Sequence, residues 1–189
     1  MADLERLAAE LAGRVRAAGF APELIVYVET GARLPACALC REFGVPALAV
    51  RARRTGAGLK SLLAPLAALL PRWLKDVLRR AEERSRIHGS GARQVEWAGA
   101  PIPGGCRVLL VDDAADTGRT LMAVRAALIE RGVAADSIRT AVLAATMPEA
   151  RQLADFYLFD RICRLPWSAD SRERSAARAE MRRQVPPGR

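Results

Sequence analysis

The sequence predicts an α/β fold in which helices flank a mainly parallel central sheet. Short apolar runs, rich in β-branched residues, alternate along the chain with longer segments whose apolar residues repeat at helical spacing. The short runs are apolar at nearly every position, as expected for strands that helices cover on both faces. A chain of 189 residues with 51% hydrophobic residues can bury one such core but not two. We therefore expect a single domain over residues 1–170.

The N-terminal part of the chain predicts a β-α-β unit preceded by a helix. An amphipathic helix is predicted over residues 2–18, and the run LIVYV at residues 24–28 predicts a buried strand. A helix over about residues 34–43 leads to a second strand, PALAVRA, at residues 46–52. Because crossovers between parallel strands are almost always right-handed, these two strands should be parallel neighbours.

A leucine-rich segment then interrupts the alternation. Residues 58–88 predict a helical insertion whose apolar face is buried against the domain or a second copy, with docking to a membrane surface as the alternative. A short strand and a turn-rich ribbon over residues 92–104 would complete a hood beside the sheet. His88, the only histidine, is expected to end the insertion rather than to act in catalysis. Residues 171–189 form a basic tail.

The second half of the chain supplies the remaining strands. CRVLLVDD, at residues 106–113, has the strongest strand pattern, and a helix is predicted from about residue 120 to residue 131. Further strands are predicted within residues 137–148 and 155–160. This order completes a sheet built mostly from parallel strands.

The balance of charge indicates which partners to expect. The chain has 30 Lys and Arg residues against 21 Asp and Glu residues, a formal net charge of +9. Such a surface attracts anions, which include phosphates, nucleic acid and membrane surfaces. The sequence lacks a helix-turn-helix signature and has few aromatic residues, so direct reading of nucleic acid is not favoured.

The N-terminus and the cysteines indicate the compartment. Charges run through the N-terminal apolar pattern, so we expect an ordinary helix rather than a signal peptide, and no run is long and uncharged enough to span a bilayer. A cytoplasmic protein with reduced thiols is the expectation. Cys37 and Cys40 form a C-x-x-C pair without a second pair or a nearby His, which favours buried thiols on a helix over a zinc site.

Residues 108–120, VLLVDDAADTGRT, carry the clearest functional pattern. An apolar run leads to two carboxylates, Asp112 and Asp113, at the carboxyl end of a parallel strand, which is the edge where open α/β sheets bind ligands. We expect the backbone to turn there, so that both carboxylates face a sugar diol or a hydrated magnesium ion. The small Ala115 would let a ligand lie close. Residues 116–120 then turn into a helix, whose N–H groups suit a phosphate dianion.

An acidic pair, a short spacer and D-T-G-x-T after an apolar strand resemble the phosphoribosyl-diphosphate signature of the type I phosphoribosyltransferases. The resemblance implies that family's fold, and it implies that Asp112 and Asp113 bind the ribose 2′ and 3′ hydroxyls, partly through Mg²⁺. In purine-using members the carboxylate that matches Asp116 assists proton transfer, so Asp116 is the expected catalytic residue. The residues implied to surround the 5′-phosphate and ribose are Ala115, Asp116, Thr117, Gly118, Arg119 and Thr120.

A second segment, VETGARLPACALCREFGVP, resembles the family's diphosphate loop, most of all that of the xanthine-guanine and related purine transferases. Thr30, Gly31 and Ala32 take the loop positions, where many members have Arg, Gly and Gly. The family loop holds the leaving diphosphate through backbone N–H groups, a geometry that Gly31 permits. Thr30 supplies no cation, but a nearby arginine could provide the missing positive charge. The candidates are Arg33, Arg51, Arg53 and Arg54.

The resemblance weakens on the side of the base. Purine transferases of this type present a Lys before a Pro to read the 6-oxo group of the base, whereas Met147 stands there in this chain. They also place an aromatic ring shortly before a final P-W, where this chain has Ile162 or Cys163, although Trp167 is retained. The missing hydrogen bond argues against ordinary hypoxanthine, guanine or xanthine salvage.

Three functions therefore remain open. The first is an enzyme that binds phosphoribosyl diphosphate with Mg²⁺ and transfers phosphoribose to a nitrogen acceptor, with nucleobases among the candidates, releasing diphosphate. The second is a non-catalytic regulator that senses phosphoribosyl diphosphate or a nucleotide. The third is a ligand-free structural relative whose basic surface holds it to an acidic partner. A homodimer is the expected assembly.

Overall fold

The computed structural model describes residues 2–29, 31–54, 93–98 and 101–161. Within these ranges the chain forms six strands, four α-helices and one 3₁₀ turn. In chain order they are α1 (Ala2–Ala17), β1 (Leu24–Val28), α2 (Arg33–Phe43), β2 (Ala47–Arg54), β3 (Arg93–Ala98), β4 (Val108–Ala115), α3 (Arg119–Glu130), the 3₁₀ turn (Ala135–Ser137), β5 (Ile138–Ala145), α4 (Pro148–Leu153) and β6 (Phe156–Phe159).

The strands form one sheet in the order β3-β2-β1-β4-β5-β6. β1 is parallel to both β2 and β4, and β5 is parallel to both β4 and β6. These pairings confirm the predicted α/β class, the mainly parallel sheet and the parallel β1–β2 pair. The chain continues from β1 toward one edge of the sheet and from β4 toward the other, so the carboxyl ends of β1 and β4 flank a topological switch point, where open α/β sheets bind ligands.

Helices cover both faces of the sheet, which explains why the strands are apolar throughout. Side chains of one face pack against α1 and α2, and those of the other face pack against α3. The first cluster includes Leu11, Ile25, Leu39, Leu109 and Leu143. The second cluster includes Val26, Leu110, Leu121, Leu128 and Val142. From Val108 to Val111 of β4 the side chains alternate between the two clusters, as the two-residue repeat of a strand requires, and Ala115 at the end of the strand belongs to the second cluster.

Most predicted boundaries agree with the structure to within one or two residues, and β4 is shifted by two residues toward the C-terminus relative to the predicted strand at residues 106–113. The strand continues through Asp112 and Asp113 and ends at Ala115. Ala114 and Ala115 still pair with Ala144 and Ala145 of β5, so the parallel ladder continues past the two carboxylates. The expectation that the backbone turns at the two carboxylates is therefore wrong, and this changes the directions in which they point.

The chain divides into two compact units, residues 1–52 with 95–189, and residues 53–94. The predicted helical insertion at residues 58–88, with His88, lies outside the described residues, as does the basic tail at 171–189. Of the predicted hood at 92–104, the structure describes β3 and the irregular residues 101–104. No helix in the described part of the chain has both the length and the apolar character needed to cross a bilayer.

The C-x-x-C pair lies on α2, as predicted, and both thiols are free. Cys37 and Cys40 are half-buried rather than fully buried, so the expectation of buried thiols is only partly right. Burial, assisted by the neighbouring Cys37, raises the pKa of the Cys40 thiol to about 11. Among the described residues, no group of three or more His, Cys, Asp and Glu side chains is placed to hold a metal ion.

Candidate functional site

The carboxyl ends of β1, β4 and β5 bring most of the predicted site residues to one edge of the sheet. Gly31 and Ala32 follow β1, while residues 112–115 belong to β4 and residues 116–118 form the loop into α3. Arg119 and Thr120 form the start of α3. Thr30 lies outside the described residues, and so does the side chain of Arg53, whose backbone belongs to β2.

Asp112 and Asp113 point to opposite faces of the sheet. Val108 and Leu110 contribute to the cluster beneath α3, whereas Leu109 and Val111 contribute to the cluster beneath α1 and α2. Alternation therefore places Asp112 on the α3 side and Asp113 on the α2 side. Asp112 is buried, with 6% of its surface exposed, while Asp113 is half-buried.

Backbone N–H groups hold each of these carboxylates. The N–H of Asp113 donates to Oδ1 of Asp112 at 2.9 Å, and the N–H of Ala114 donates to Oδ1 of Asp113, also at 2.9 Å. Hydrogen bonds from N–H groups to carboxylates are among the stronger ones in proteins. Both acids are thus oriented by the strand that carries them.

Gly31 brings the β1–α2 loop onto Asp113. A Cβ added to Gly31 would lie 2.7 Å from Oδ1 of Asp113 and closer still to the other carboxyl atoms, so only glycine fits. This glycine is required by the close approach of a side chain, because its φ is not in the left-handed region. The structure therefore brings the predicted diphosphate loop and the acidic pair into contact.

Ala32, the next residue of that loop, uses both its side chain and its N–H in contacts within the fold. Its side chain is buried, it is the N-cap of α2, and its N–H donates to the carbonyl of Val28 at 3.2 Å. In this conformation neither the side chain nor the N–H of Ala32 is available to an anion.

The loop after β4 ends at Gly118, the N-cap of α3. Gly118 has a φ of 67° and a ψ of 2°, the left-handed conformation that favours glycine. A Cβ at Gly118 would also lie 2.5 Å from Cδ1 of Leu153, at the end of α4. Asp116, Thr117 and Arg119 are exposed around this turn, and the first turn of α3 contains no acidic residue. The positive end of this 12-residue helix has no acidic residue in its own first turn, which suits an anion, while the carboxylate of Asp116 lies in the preceding loop.

Thr146, the residue that follows β5, is a site residue that the sequence analysis missed. Its hydroxyl donates to Oδ1 of Asp116 at 2.6 Å, and its N–H donates to the carbonyl of Ala115 at 2.9 Å. The signal lay in the register, because Ala115 pairs with Ala145, so the residue after Ala145 must lie beside Asp116. That register could not be read from the sequence.

Of the arginines considered for the diphosphate, Arg51 is already paired. Its Nη2 donates to Oε1 of Glu29 at 3.0 Å, and its Nε donates to Oε2 of the same carboxylate. The hydrogen bond from Arg51 lowers the pKa of Glu29, and the same pair raises the pKa of Arg51. Arg33, at the first turn of α2, is half-buried, and no carboxylate of the described residues forms an ion pair with it. Of these two cations, Arg33 is therefore the one that no described carboxylate holds in an ion pair, and it is the better candidate for contact with the diphosphate.

The β5–α4 turn is held rigidly. Met147 is the N-cap of α4 and is 48% exposed, with Pro148 in the first turn of the helix. Arg151 donates to the carbonyls of Ala145, Thr146 and Asp160 at 3.2, 3.1 and 2.8 Å. The guanidinium of Arg151 therefore fixes the turn rather than serving a ligand. Ile162, Cys163 and Trp167 lie outside the described residues.

Comparison with known proteins decides the family. The sequence matches the family described as phosphoribosyl transferase domain over residues 1–168. The chain belongs to the phosphoribosyltransferase family. No curated protein matches the chain. The predicted type I phosphoribosyltransferase resemblance and fold are thereby confirmed.

Solved phosphoribosyltransferase structures share this fold. A purine phosphoribosyltransferase from Pyrococcus horikoshii is 23% identical, with a TM-score of 0.57, and the match covers 87% of this chain and 88% of that chain. The xanthine-guanine-hypoxanthine phosphoribosyltransferase of Helicobacter pylori is 16% identical, with a TM-score of 0.59 and 92% of each chain covered. A hypothetical protein from Neisseria gonorrhoeae, solved with bound ppGpp, is 18% identical, with a TM-score of 0.56, and the match covers 94% of this chain and 91% of that chain.

Proposed function

We propose that this phosphoribosyltransferase uses phosphoribosyl diphosphate with Mg²⁺ and transfers phosphoribose to a nitrogen acceptor, releasing diphosphate. The observation that carries the proposal is the contact of Gly31 with Asp113 at the switch point of the sheet. It joins the loop that resembles a diphosphate loop to the acidic pair of the ribose-phosphate motif. A donor lying across that edge would meet both motifs.

Each motif would have a separate task. The exposed residues Asp116 and Thr117, with the buried Gly118 and the start of α3, would hold the 5′-phosphate through backbone N–H groups and hydroxyls. Asp112 and Asp113 would orient the ribose. The loop at Gly31, with the cation of Arg33, would stabilise the departing diphosphate. Asp116, whose carboxylate is hydrogen-bonded to Thr146, would handle the proton of the acceptor nitrogen.

The residues of this edge fit Mg²⁺ only as partners of a hydrated ion. Carboxylate oxygens are the donors that Mg²⁺ prefers, and Asp112 and Asp113 supply them. Because the two carboxylates point to opposite faces of β4, they are not arranged to clasp one ion between them. Bound magnesium would neutralise charge on the diphosphate.

Titration calorimetry with phosphoribosyl diphosphate, with and without Mg²⁺, tests the donor site. We expect binding that requires Mg²⁺ and that falls at least about tenfold in the variant Asp112→Asn/Asp113→Asn, because hydrogen bonds to charged groups are lost. Asp136→Asn, in the 3₁₀ turn before β5, is the matched control at the opposite edge of the sheet. A double variant that binds as tightly as the unmodified protein contradicts the proposed site.

Turnover is tested with a panel of nucleobases and amines. Release of diphosphate with at least one acceptor supports the enzyme. The second candidate function, a sensor, is favoured by the Neisseria gonorrhoeae protein of the same fold that was solved with bound ppGpp. Binding of phosphoribosyl diphosphate or ppGpp without turnover over the whole panel would support the sensor, and unchanged properties of the Asp112→Asn/Asp113→Asn variant in every assay would favour a structural relative.

A further inference from the structure

Thr146 connects the loop after β4 with the turn after β5. Its hydroxyl lies 2.6 Å from Oδ1 of Asp116 and 3.5 Å from the carbonyl oxygen of Ala115. A hydroxyl has one proton to donate, and the ionised carboxylate can only accept. The shorter distance and the charge of the acceptor both assign that proton to Asp116.

The backbone of Thr146 is fixed on both sides, so its hydroxyl has a defined position. Its N–H donates to the carbonyl of Ala115 at 2.9 Å, and its own carbonyl accepts a hydrogen bond from Arg151 at 3.1 Å. The β-branched side chain also has few χ1 rotamers. An exposed carboxylate such as Asp116 would otherwise sample several rotamers.

A second contact joins the same two segments. Leu153, at the end of α4, packs so closely on Gly118 that a Cβ there would lie 2.5 Å from its Cδ1. The loop at residues 116–118 is thus attached to the β5–α4 segment at both of its ends, by a hydrogen bond at Asp116 and by apolar contact at Gly118. Both attachments are made by residues 146–153.

We infer that Thr146 is a positioning residue for the donor site, because it holds Asp116 and the loop of residues 116–118 in the conformation that receives the donor. This inference rests on the proposed function for the identity of the donor. The hydrogen bond between Thr146 and Asp116 is present in the protein without ligand. The hydrogen bond and its effect on donor binding are therefore tested separately.

Hydrogen exchange of the unliganded protein tests the contact itself. In Thr146→Val the amides of Met122 and of residue 146, which donate to the carbonyls of Gly118 and Ala115 at 2.9 Å, should exchange about two- to tenfold faster, since one hydrogen bond to the loop is lost. Thr146→Ser, which keeps the hydroxyl, should restore slow exchange to within about twofold. Unchanged exchange in Thr146→Val would overturn the inference, whatever the ligand of the site.

Thr140→Val is the matched control, because Thr140 makes the same kind of hydrogen bond at the other end of β5. Its hydroxyl lies 2.7 Å from Oδ2 of Asp155 and 2.8 Å from the carbonyl of Leu153. This variant should lower stability but leave exchange at the amides of Met122 and Thr146 within about twofold of the unmodified protein after correction for global unfolding. Equal acceleration in both Val variants would mean a general loss of stability and would overturn the positioning role.

Calorimetry with Mg²⁺ and phosphoribosyl diphosphate then tests the consequence for the donor. Thr146→Val should bind the donor about two- to tenfold more weakly, and Thr146→Ser should recover the affinity. Undiminished binding in Thr146→Val would overturn the role in donor binding. If the unmodified protein does not bind the donor at all, the proposed function fails, and the exchange experiment still decides whether Thr146 orders the loop.

Discussion

Replacement of Gly118 by alanine should destabilise the protein by about 1–3 kcal/mol, through two separate costs. The first is conformational, because the φ of 67° at Gly118 lies in the left-handed region, where an L-residue costs about 1–2 kcal/mol. Part of this cost, up to about 1 kcal/mol, is offset because alanine also reduces the entropy of the unfolded chain.

The second cost is steric. The added Cβ would lie 2.5 Å from Cδ1 and 3.4 Å from Cβ of Leu153. Because Cδ1 is the end of a flexible side chain, Leu153 can rotate away, and we expect the lower part of the range of about 1–3 kcal/mol typical of overpacking. The movement would loosen α4 against the loop of residues 116–118, so donor binding should weaken together with stability.

Gly105→Ala separates the two costs. Gly105 has a φ of 75°, close to that of Gly118, but nothing lies within 4 Å of the Cβ that alanine would add. Urea unfolding of both variants, followed by circular dichroism, gives the steric contribution as the difference between their free energies of unfolding. Equal destabilisation of the two variants would refute the steric argument, and a loss below about 0.5 kcal/mol in both would refute the conformational one as well.

The remaining predictions concern β1 and α2. Gly31→Ala should abolish donor binding in calorimetry, because its Cβ would collide with Asp113; affinity equal to that of the unmodified protein would contradict the close approach. Arg51 lowers the pKa of Glu29 below 4.5, so this carboxylate stabilises the folded state above that pH, and the contribution disappears as pH falls through the folded pKa. Because the pair is largely exposed, Glu29→Gln should cost less than about 1 kcal/mol at pH 7 and flatten the acid limb of the stability curve, and an unchanged acid limb would contradict the pairing. The Cys40 thiol, with a pKa of about 11, should react slowly with iodoacetamide at pH 8 and faster as the pH rises to about 10, as followed by peptide mapping; a rate independent of pH would contradict this.

The fold could be predicted because its signals are local. Apolar runs without alternation indicated buried parallel strands, and Gly44 ends α2 in the left-handed conformation typical of a helix C-terminus. The motif VLLVDDAADTGRT placed the loop of residues 116–118 between β4 and α3, where the structure has it. These features depend on neighbours along the chain, which the sequence displays directly.

The features that the sequence analysis did not predict depend on strand register and on packing between segments that are distant in the chain. The extension of β4 to Ala115 depends on its pairing with β5, the role of Thr146 depends on the pairing of Ala115 with Ala145, and the collision at Gly118 involves a residue of α4. None of these relations is encoded by spacing within one segment. The pairing of Arg51 with Glu29 was missed for the same reason, since the two residues lie on neighbouring strands.

The extension of β4 also alters how the acidic pair can act. Two carboxylates at a turn could converge on one ligand atom, whereas two carboxylates on consecutive residues of a strand serve opposite faces of the sheet. Asp113 therefore lies beside the β1–α2 loop, against Gly31, and Asp112 lies on the α3 side of the sheet. A donor whose diphosphate lies at the first loop and whose 5′-phosphate lies at the second would pass across the end of β4 between them. A donor that uses both loops would depend on their relative position as well as on the acidic pair.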